Sequence, residues 1–147
     1  MNAKIGIGLG KIVFGMSQED VKKILGNPNK ISEEEKDDGI VYQYFDMLIK
    51  LKFDKKEHLK LYSIEVHNPK VTMFNQKILN KTKKEILKML DDRGYKDIEH
   101  EDYDLFETLF CEEIWTTFSL ELDRLIYFEF SPLFKANEIV WPKRTQD

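Results

Sequence analysis

Gly15-Met16-Ser17-Gln18-Glu19-Asp20-Val21-Lys22-Lys23-Ile24-Leu25-Gly26 and, 65 residues further on, Asn80-Lys81-Thr82-Lys83-Lys84-Glu85-Ile86-Leu87-Lys88-Met89-Leu90-Asp91 follow one grammar. In each, a hydroxyl side chain (Ser17, Thr82) stands three residues ahead of an acid (Asp20, Glu85). At that spacing the hydroxyl caps an amide of the first helical turn and the carboxylate caps in return. Met16, ahead of the first cap, can pack on Val21 as a hydrophobic staple. Val21, Ile24 and Leu25 in the first segment, and Ile86, Met89 and Leu90 in the second, recur at helical spacing and give each helix one apolar face. Gly26-Asn27-Pro28 stops the first helix, since glycine accepts a left-handed end and proline cannot continue the ladder; Gly94 ends the second.

After each helix the period changes from helical to two. Ile40 to Phe45, Met47 to Phe53 and Leu59 to Val66 read as three strands behind a polar stretch from Ser32 to Gly39. Leu105 to Phe110, Ile114 to Leu122 and Leu125 to Phe130 read as three more, with Asp123-Arg124 as a tight hairpin. The expectation is an α+β fold: two tandem repeats of a short capped helix and a three-to-four-stranded antiparallel meander, forming one curved sheet with the helices on one face. The repeats would run over about 5–70 and 71–131 of a single domain. An irregular tail, 132–147, would be pinned by Trp141.

Composition sets the class of molecule. With 147 residues, 34% charged and 41% hydrophobic, the chain is globular and long enough for one ordinary core. No apolar run has the length of a membrane span or of a secretion signal, so a cytoplasmic protein is expected. The single cysteine, Cys111, cannot form an internal disulfide, which agrees with a reducing compartment.

Charge is unevenly divided. Residues 1–73 hold 12 Lys/Arg against 11 Asp/Glu, and residues 74–147 hold 11 against 16. From Asp97 to Asp123 there are ten carboxylates and no lysine or arginine. Such a surface repels phosphates, so direct nucleic-acid binding there is excluded.

Catalytic and ligand motifs are weak. Gly6, Gly8 and Gly10 lack the preceding strand and the helix-opening third glycine of a dinucleotide loop, and read as a loose lead-in or short strand. Cys111 and His100 form a conceivable nucleophile and base, but Cys111 sits between bulky apolar neighbours with no oxyanion loop nearby. His100-Glu101-Asp102 has no ligand pair at a recognised metal spacing. His58 and His67 read as surface residues. A non-enzymatic role with no metal and no cofactor is expected.

Phe14-Gly15-Met16-Ser17, Val21 and Leu25-Gly26-Asn27-Pro28, followed by a meander, resemble the module of the small lipoprotein of the outer-membrane barrel-assembly machinery. Its duplication is similar to the β-lactamase inhibitor proteins. The further order of Ile64-Glu65-Val66, a helix opening at Thr82 and a closing Ile139-Val140-Trp141-Pro142 resembles small bacterial immunity proteins of polymorphic and contact-dependent growth-inhibition toxins. The last resemblance implies a cytoplasmic inhibitor of a cognate toxin. No lipobox cysteine lies near Met1, and no inhibitory loop matches residue by residue, so neither the lipoprotein's envelope role nor β-lactamase inhibition carries over.

The acidic segment gives that implication a chemistry. A toxin that cuts nucleic acid needs a basic cleft, and an inhibitor gains speed and specificity by placing carboxylates where phosphates would lie. The candidate partner-binding residues are Asp97, Glu99, Glu101, Asp102, Tyr103, Asp104, Glu107, Glu112, Glu113 and Trp115, with Phe106 as a further aromatic anchor. The partner would be a protein toxin, a nuclease, bound by a monomer away from membranes. Two other roles stay open at this level. Phe106, Phe110 and Trp115 can belong to the core while the carboxylates solubilise a loop, or the chain can be an adaptor that binds a partner by sheet-edge addition.

Overall fold

The computed structural model describes residues 1–34 and 38–143. Residues 35–37 of the polar stretch and 144–147 of the tail lie outside the described residues. In chain order the elements are β1 (Asn2–Lys4), β2 (Gly8–Leu9), β3 (Ile12–Val13), α1 (Gln18–Leu25), β4 (Lys30–Glu34), β5 (Gly39–Tyr44), β6 (Ile49–Asp54) and β7 (Lys60–Val66). Then follow β8 (Thr72–Met73), β9 (Gln76–Lys77), α2 (Lys83–Asp91), β10 (Ile98–Asp102), β11 (Glu107–Cys111), β12 (Thr116–Glu121), β13 (Arg124–Phe130), β14 (Leu133–Lys135) and β15 (Glu138–Val140).

This overturns the expected α+β arrangement of two helix-plus-meander repeats in one curved sheet. Of the described residues 46% are strand and 16% helix, and the strands divide among three sheets. The physical reason lies in segments that looked irregular. The glycine-rich lead-in and the connector after Val66 pair as a five-stranded sheet in the order β3-β2-β1-β8-β9, with β1 parallel to β8. The tail pairs as β14 with β15. Gly8 is required in the lead-in, because a Cβ there would lie 1.9 Å from the Ile12 carbonyl oxygen.

The largest sheet has eight strands in the order β10-β11-β12-β13-β7-β6-β5-β4. All its pairings are antiparallel, and β13 meets β7 at the centre through Phe128↔Val66, Glu129↔Glu65 and Phe130↔Ile64. Alternation gives it one apolar face, carrying Leu51, Phe53, Ile64, Phe118, Phe128 and Phe130, all fully buried. The other face carries polar side chains. Ala3, Leu9, Ile12 and Met73 of the five-stranded sheet, with Val21, Ile86 and Leu90 of the helices, join the apolar face in one hydrophobic cluster. Trp141 packs against that cluster, with the Lys60 ammonium 5.2 Å from its ring centroid.

Both helices begin where their caps place them. Ser17 Oγ accepts from the Asp20 amide and Asp20 Oδ2 from the Ser17 amide, each at 3.1 Å. The Glu85 amide donates to Thr82 Oγ1 at 3.2 Å and the Thr82 amide to Glu85 Oε1 at 3.0 Å. α1 buries only Val21 fully, so packing alone holds it weakly. Two tyrosines of β5 lash its ends: the Tyr42 hydroxyl donates to Gln18 Oε1 at 2.7 Å, and the Tyr44 hydroxyl to the Gly26 carbonyl at 2.9 Å. Burial, with Tyr42 close by, pushes the Tyr44 hydroxyl up to about 12, so it stays a donor at neutral pH. α2 ends at Asp91, ahead of Gly94, which lies beyond a further turn.

Candidate partner-binding site

On the polar face of the eight-stranded sheet, register sets Glu129 of β13 directly opposite Glu65 of β7. Like charges so placed repel. Lys52 of β6 resolves the conflict, with its ammonium 2.7 Å from Glu129, 3.5 Å from Glu34 and 4.0 Å from Glu65. Lys50 adds a second cation 3.5 Å from Glu65. The Ser63 hydroxyl donates to Glu129 at 2.7 Å, and the His67 ring, stacked on Tyr127, lies 2.7 Å from Glu65. Burial pulls the Lys52 ammonium down, and Glu129, Glu65 and Glu34 more than reverse it, leaving it well above the usual lysine value. Burial likewise raises Glu65, but His67, Lys52 and Lys50 hold it below the ordinary carboxylate value. His67, read from the sequence as a surface residue, is partly exposed and hydrogen-bonds into this cluster through Glu65.

Beside this cluster a cleft of about 210 Å³ is bounded by Phe110 and Trp115. Trp115 sits at φ 46°, edge-on to Phe110 at 5.1 Å and tilted against Phe134 at 5.4 Å. Both Phe110 and Trp115 are half-buried and lie outside the central hydrophobic cluster.

The strongest exposed feature lies at the tips of two neighbouring hairpins. The chain between β10 and β11 closes through the Tyr103 amide, which donates to the Phe106 carbonyl at 2.8 Å. The Tyr103 and Phe106 rings stack at 4.8 Å, and the Tyr103 hydroxyl donates to the Glu101 carboxylate. Leu105 at the apex is 83% exposed. Next to it, β12 and β13 are joined by the two-residue turn Leu122-Asp123, one position earlier than the sequence suggested, with φ 50° and 63°. Leu122 is 90% exposed. Together the tips enclose a cleft of about 250 Å³ lined by Asp102, Asp104, Leu105, Phe106, Glu107, Leu120 and Leu122.

Leu122 is notable for where it sits. A two-residue hairpin loop with both φ values positive favours Asn or Gly, because a side chain in that region crowds its own carbonyl. The β8–β9 loop, Phe74-Asn75, has the same signs of φ, at 53° and 63°. There the apolar residue has a structural reason: Phe74 stacks on Tyr95 at 6.3 Å and takes the Arg93 guanidinium at 4.2 Å from its ring centroid. Leu122 has no comparable burial to offset its backbone.

The acidic segment itself divides. Glu101, Asp102, Tyr103 and Asp104 gather at the tip, and Glu99 shares the polar face of β10 with Glu101. Glu107 is drawn inward by His100 Nε2 of the same hairpin at 2.6 Å and by Lys83 Nζ of α2 at 3.1 Å. Hydrogen bonding to His100, then to Lys83, holds it below its usual carboxylate value. Glu113, on a short 3₁₀ turn with Glu112, accepts from the Lys96 and Asp97 amides at 3.2 and 3.4 Å. Trp115 stands with the Lys52 cluster, apart from the tip. Cys111 is fully buried in β11, and burial pushes its thiol up, against thiolate formation. Its conceivable partner His100 is engaged by Glu107. Leu105 and Leu122 were not singled out as site residues from the sequence, where they read as strand positions; the available signal was the two-residue spacing between β12 and β13.

Among the described residues no group of three His, Cys, Asp or Glu is placed to hold a metal ion, and no helix is long and apolar enough to cross a membrane. The sequence matches no protein-family model and no curated protein. Its fold is similar to that of an extracellular protein containing an SCP domain from Bacillus anthracis str. Ames, with 12% identity and a TM-score of 0.50 over 90% of this chain and 50% of that one. The chain therefore spans about half the length of that neighbour. At this identity the likeness is one of fold alone.

Proposed function

We propose that this chain is a protein-binding inhibitor of the immunity type. In this role it neutralises a cognate bacterial toxin in the cytoplasm, a nuclease with a basic substrate cleft, by stoichiometric occlusion. One observation carries the proposal: Leu105 and Leu122, 83% and 90% exposed, crown adjacent hairpins whose shared cleft is lined by Asp102, Asp104 and Glu107. Exposed apolar side chains ringed by charge are the anatomy of a contact surface, apolar at the centre and polar at the rim. The carboxylates would steer a basic partner, and Tyr103, Phe106 and the two leucines would supply the desolvated contact.

The test is co-purification of this chain with the toxin encoded beside its gene, together with protection of nucleic acid from that toxin. A one-to-one complex and protection are expected. Leu105→Asp combined with Leu122→Asp should abolish both while thermal unfolding stays two-state. Absence of any complex overturns the inhibitor role. If proline at Glu99 or Glu101 abolishes binding and the leucine variants do not, the chain is an adaptor that binds through the β10 edge.

A further inference from the structure

A cleft of about 680 Å³ shares no residue with the hairpin tips. One wall is the turn between β1 and β2, the other is α1, and β3 with Met16 forms the floor. Four lysines line it: Lys4, Lys11, Lys23 and Lys143. Among the described residues Asp20 is the one carboxylate in the lining, and its Oδ2 accepts from the Ser17 amide at 3.1 Å. None of the four lysines makes an ion pair among the described residues, whereas Lys22, one position from Lys23, pairs with Glu19 at 3.7 Å.

Between the lysines the lining is apolar. Ile7 is 46% and Ile24 41% exposed, one on each wall, above the better buried Val13 and Met16. Neither isoleucine belongs to the hydrophobic cluster, and the only residue of α1 fully buried in it is Val21. Four cations collected around open apolar surface, in a chain of net charge −4, repel one another unless an anion joins them. The volume is that of a small-molecule site, about 300–1,000 Å³.

We propose that this cleft binds a small, freely dissolved anion with an apolar body: a carboxylate or phosphate monoester on an acyl or aryl group. The lysines hold the head as point charges. Ile7, Ile24, Val13 and Met16 receive the body, which removes their exposed apolar surface from water.

Decyl phosphate below its micelle concentration is the probe, titrated into the nitrogen-15-labelled chain. Saturable shifts confined to residues 4–16, 20–24 and 143 are expected. Lys11→Glu combined with Lys23→Glu should weaken binding about tenfold or more, the loss of roughly one charge-assisted hydrogen bond or more. Ile7→Ser combined with Ile24→Ser should weaken it as well. All four positions are exposed, and thermal unfolding of each double variant verifies the fold. Equal affinity for uncharged decanol, indifference to charge reversal, or shifts elsewhere in the molecule overturn the proposal. So does binding to anionic phosphatidylglycerol vesicles with none to monomeric decyl phosphate, which would make the cleft a membrane contact.

Discussion

The two gatherings of carboxylate on the eight-stranded sheet differ in what stands opposite them. At its centre Glu34, Glu65 and Glu129 surround Lys52, whose side chain is only 17% exposed, and each acid there has a cation within 4.0 Å. At the hairpin tips Asp102 and Asp104 are exposed beside Leu105 and Leu122, and Glu101 is exposed close by on β10. The same residue type is a structural element in one place and available surface in the other. Position along the sequence does not separate them; the cations delivered by pairing do.

The largest expected effect comes from removing the central cation. Lys52→Met keeps the stem that packs on the sheet but leaves three partly buried carboxylates without their shared partner. It should cost about 2 kcal/mol, below the usual range for breaking a fully buried pair because this cluster keeps some contact with water. Glu101→Gln with Asp104→Asn at the tip should stay within about 0.5 kcal/mol of the parent. Urea unfolding at neutral pH measures both. Equal costs at the two sites would erase the distinction.

Acid sharpens the same contrast. Glu65 is held below its unfolded pKa, so the stability it lends is fully present above the ordinary carboxylate value of about 4.3 and is lost as pH falls through the lower folded value. Glu107, held down first by His100, adds to that limb. Lys52 has the opposite sign: its contribution is present below about 10.4 and is lost as pH rises through its higher folded value. Urea midpoints from pH 7 to pH 3 should fall less steeply in Glu65→Gln than in the parent. Identical slopes would show that Glu65 is not stabilised by its neighbours.

What could be seen in the sequence was local chemistry. The capping boxes at Ser17 and Thr82 depend on partners three residues away, and β5–β7 and β11–β13 announce themselves by alternation. The edge strands did not. Lys30-Ile31-Ser32-Glu33-Glu34 and Ile98-Glu99-His100-Glu101-Asp102 bury no side chain fully, so no apolar period marks them, and they are strands because a neighbour pairs with them. Strands of two residues, such as Gly8–Leu9 and Thr72–Met73, are too short for any period. The site followed the same rule. The acidity of Asp97 to Glu113 was visible, but Lys83, which with the cross-strand His100 removes Glu107 from it, and the groups that assemble around Lys52 come from distant segments. Strand register assembles the Lys52 cluster, and α2 delivers Lys83 to Glu107.

The smallest effect isolates the tip from the scaffold. Leu122 and Phe74 occupy the same position in two-residue turns at similar positive φ, yet Phe74 stacks on Tyr95 and contacts the Arg93 guanidinium, whereas Leu122 is 90% exposed. Asparagine tolerates that backbone better than either. Leu122→Asn should therefore raise stability by about 0.5–1 kcal/mol, since relief of left-handed strain is set against almost no lost burial. Phe74→Asn should lower it, because the same relief is outweighed by the lost ring contacts. If Leu122→Asn also weakens the complex with a basic partner, a residue that costs the fold stability is retained for contact. A Leu122→Asn variant that is destabilised instead would mean that leucine is there for the hairpin, and the tip would lose its main claim to be a binding surface.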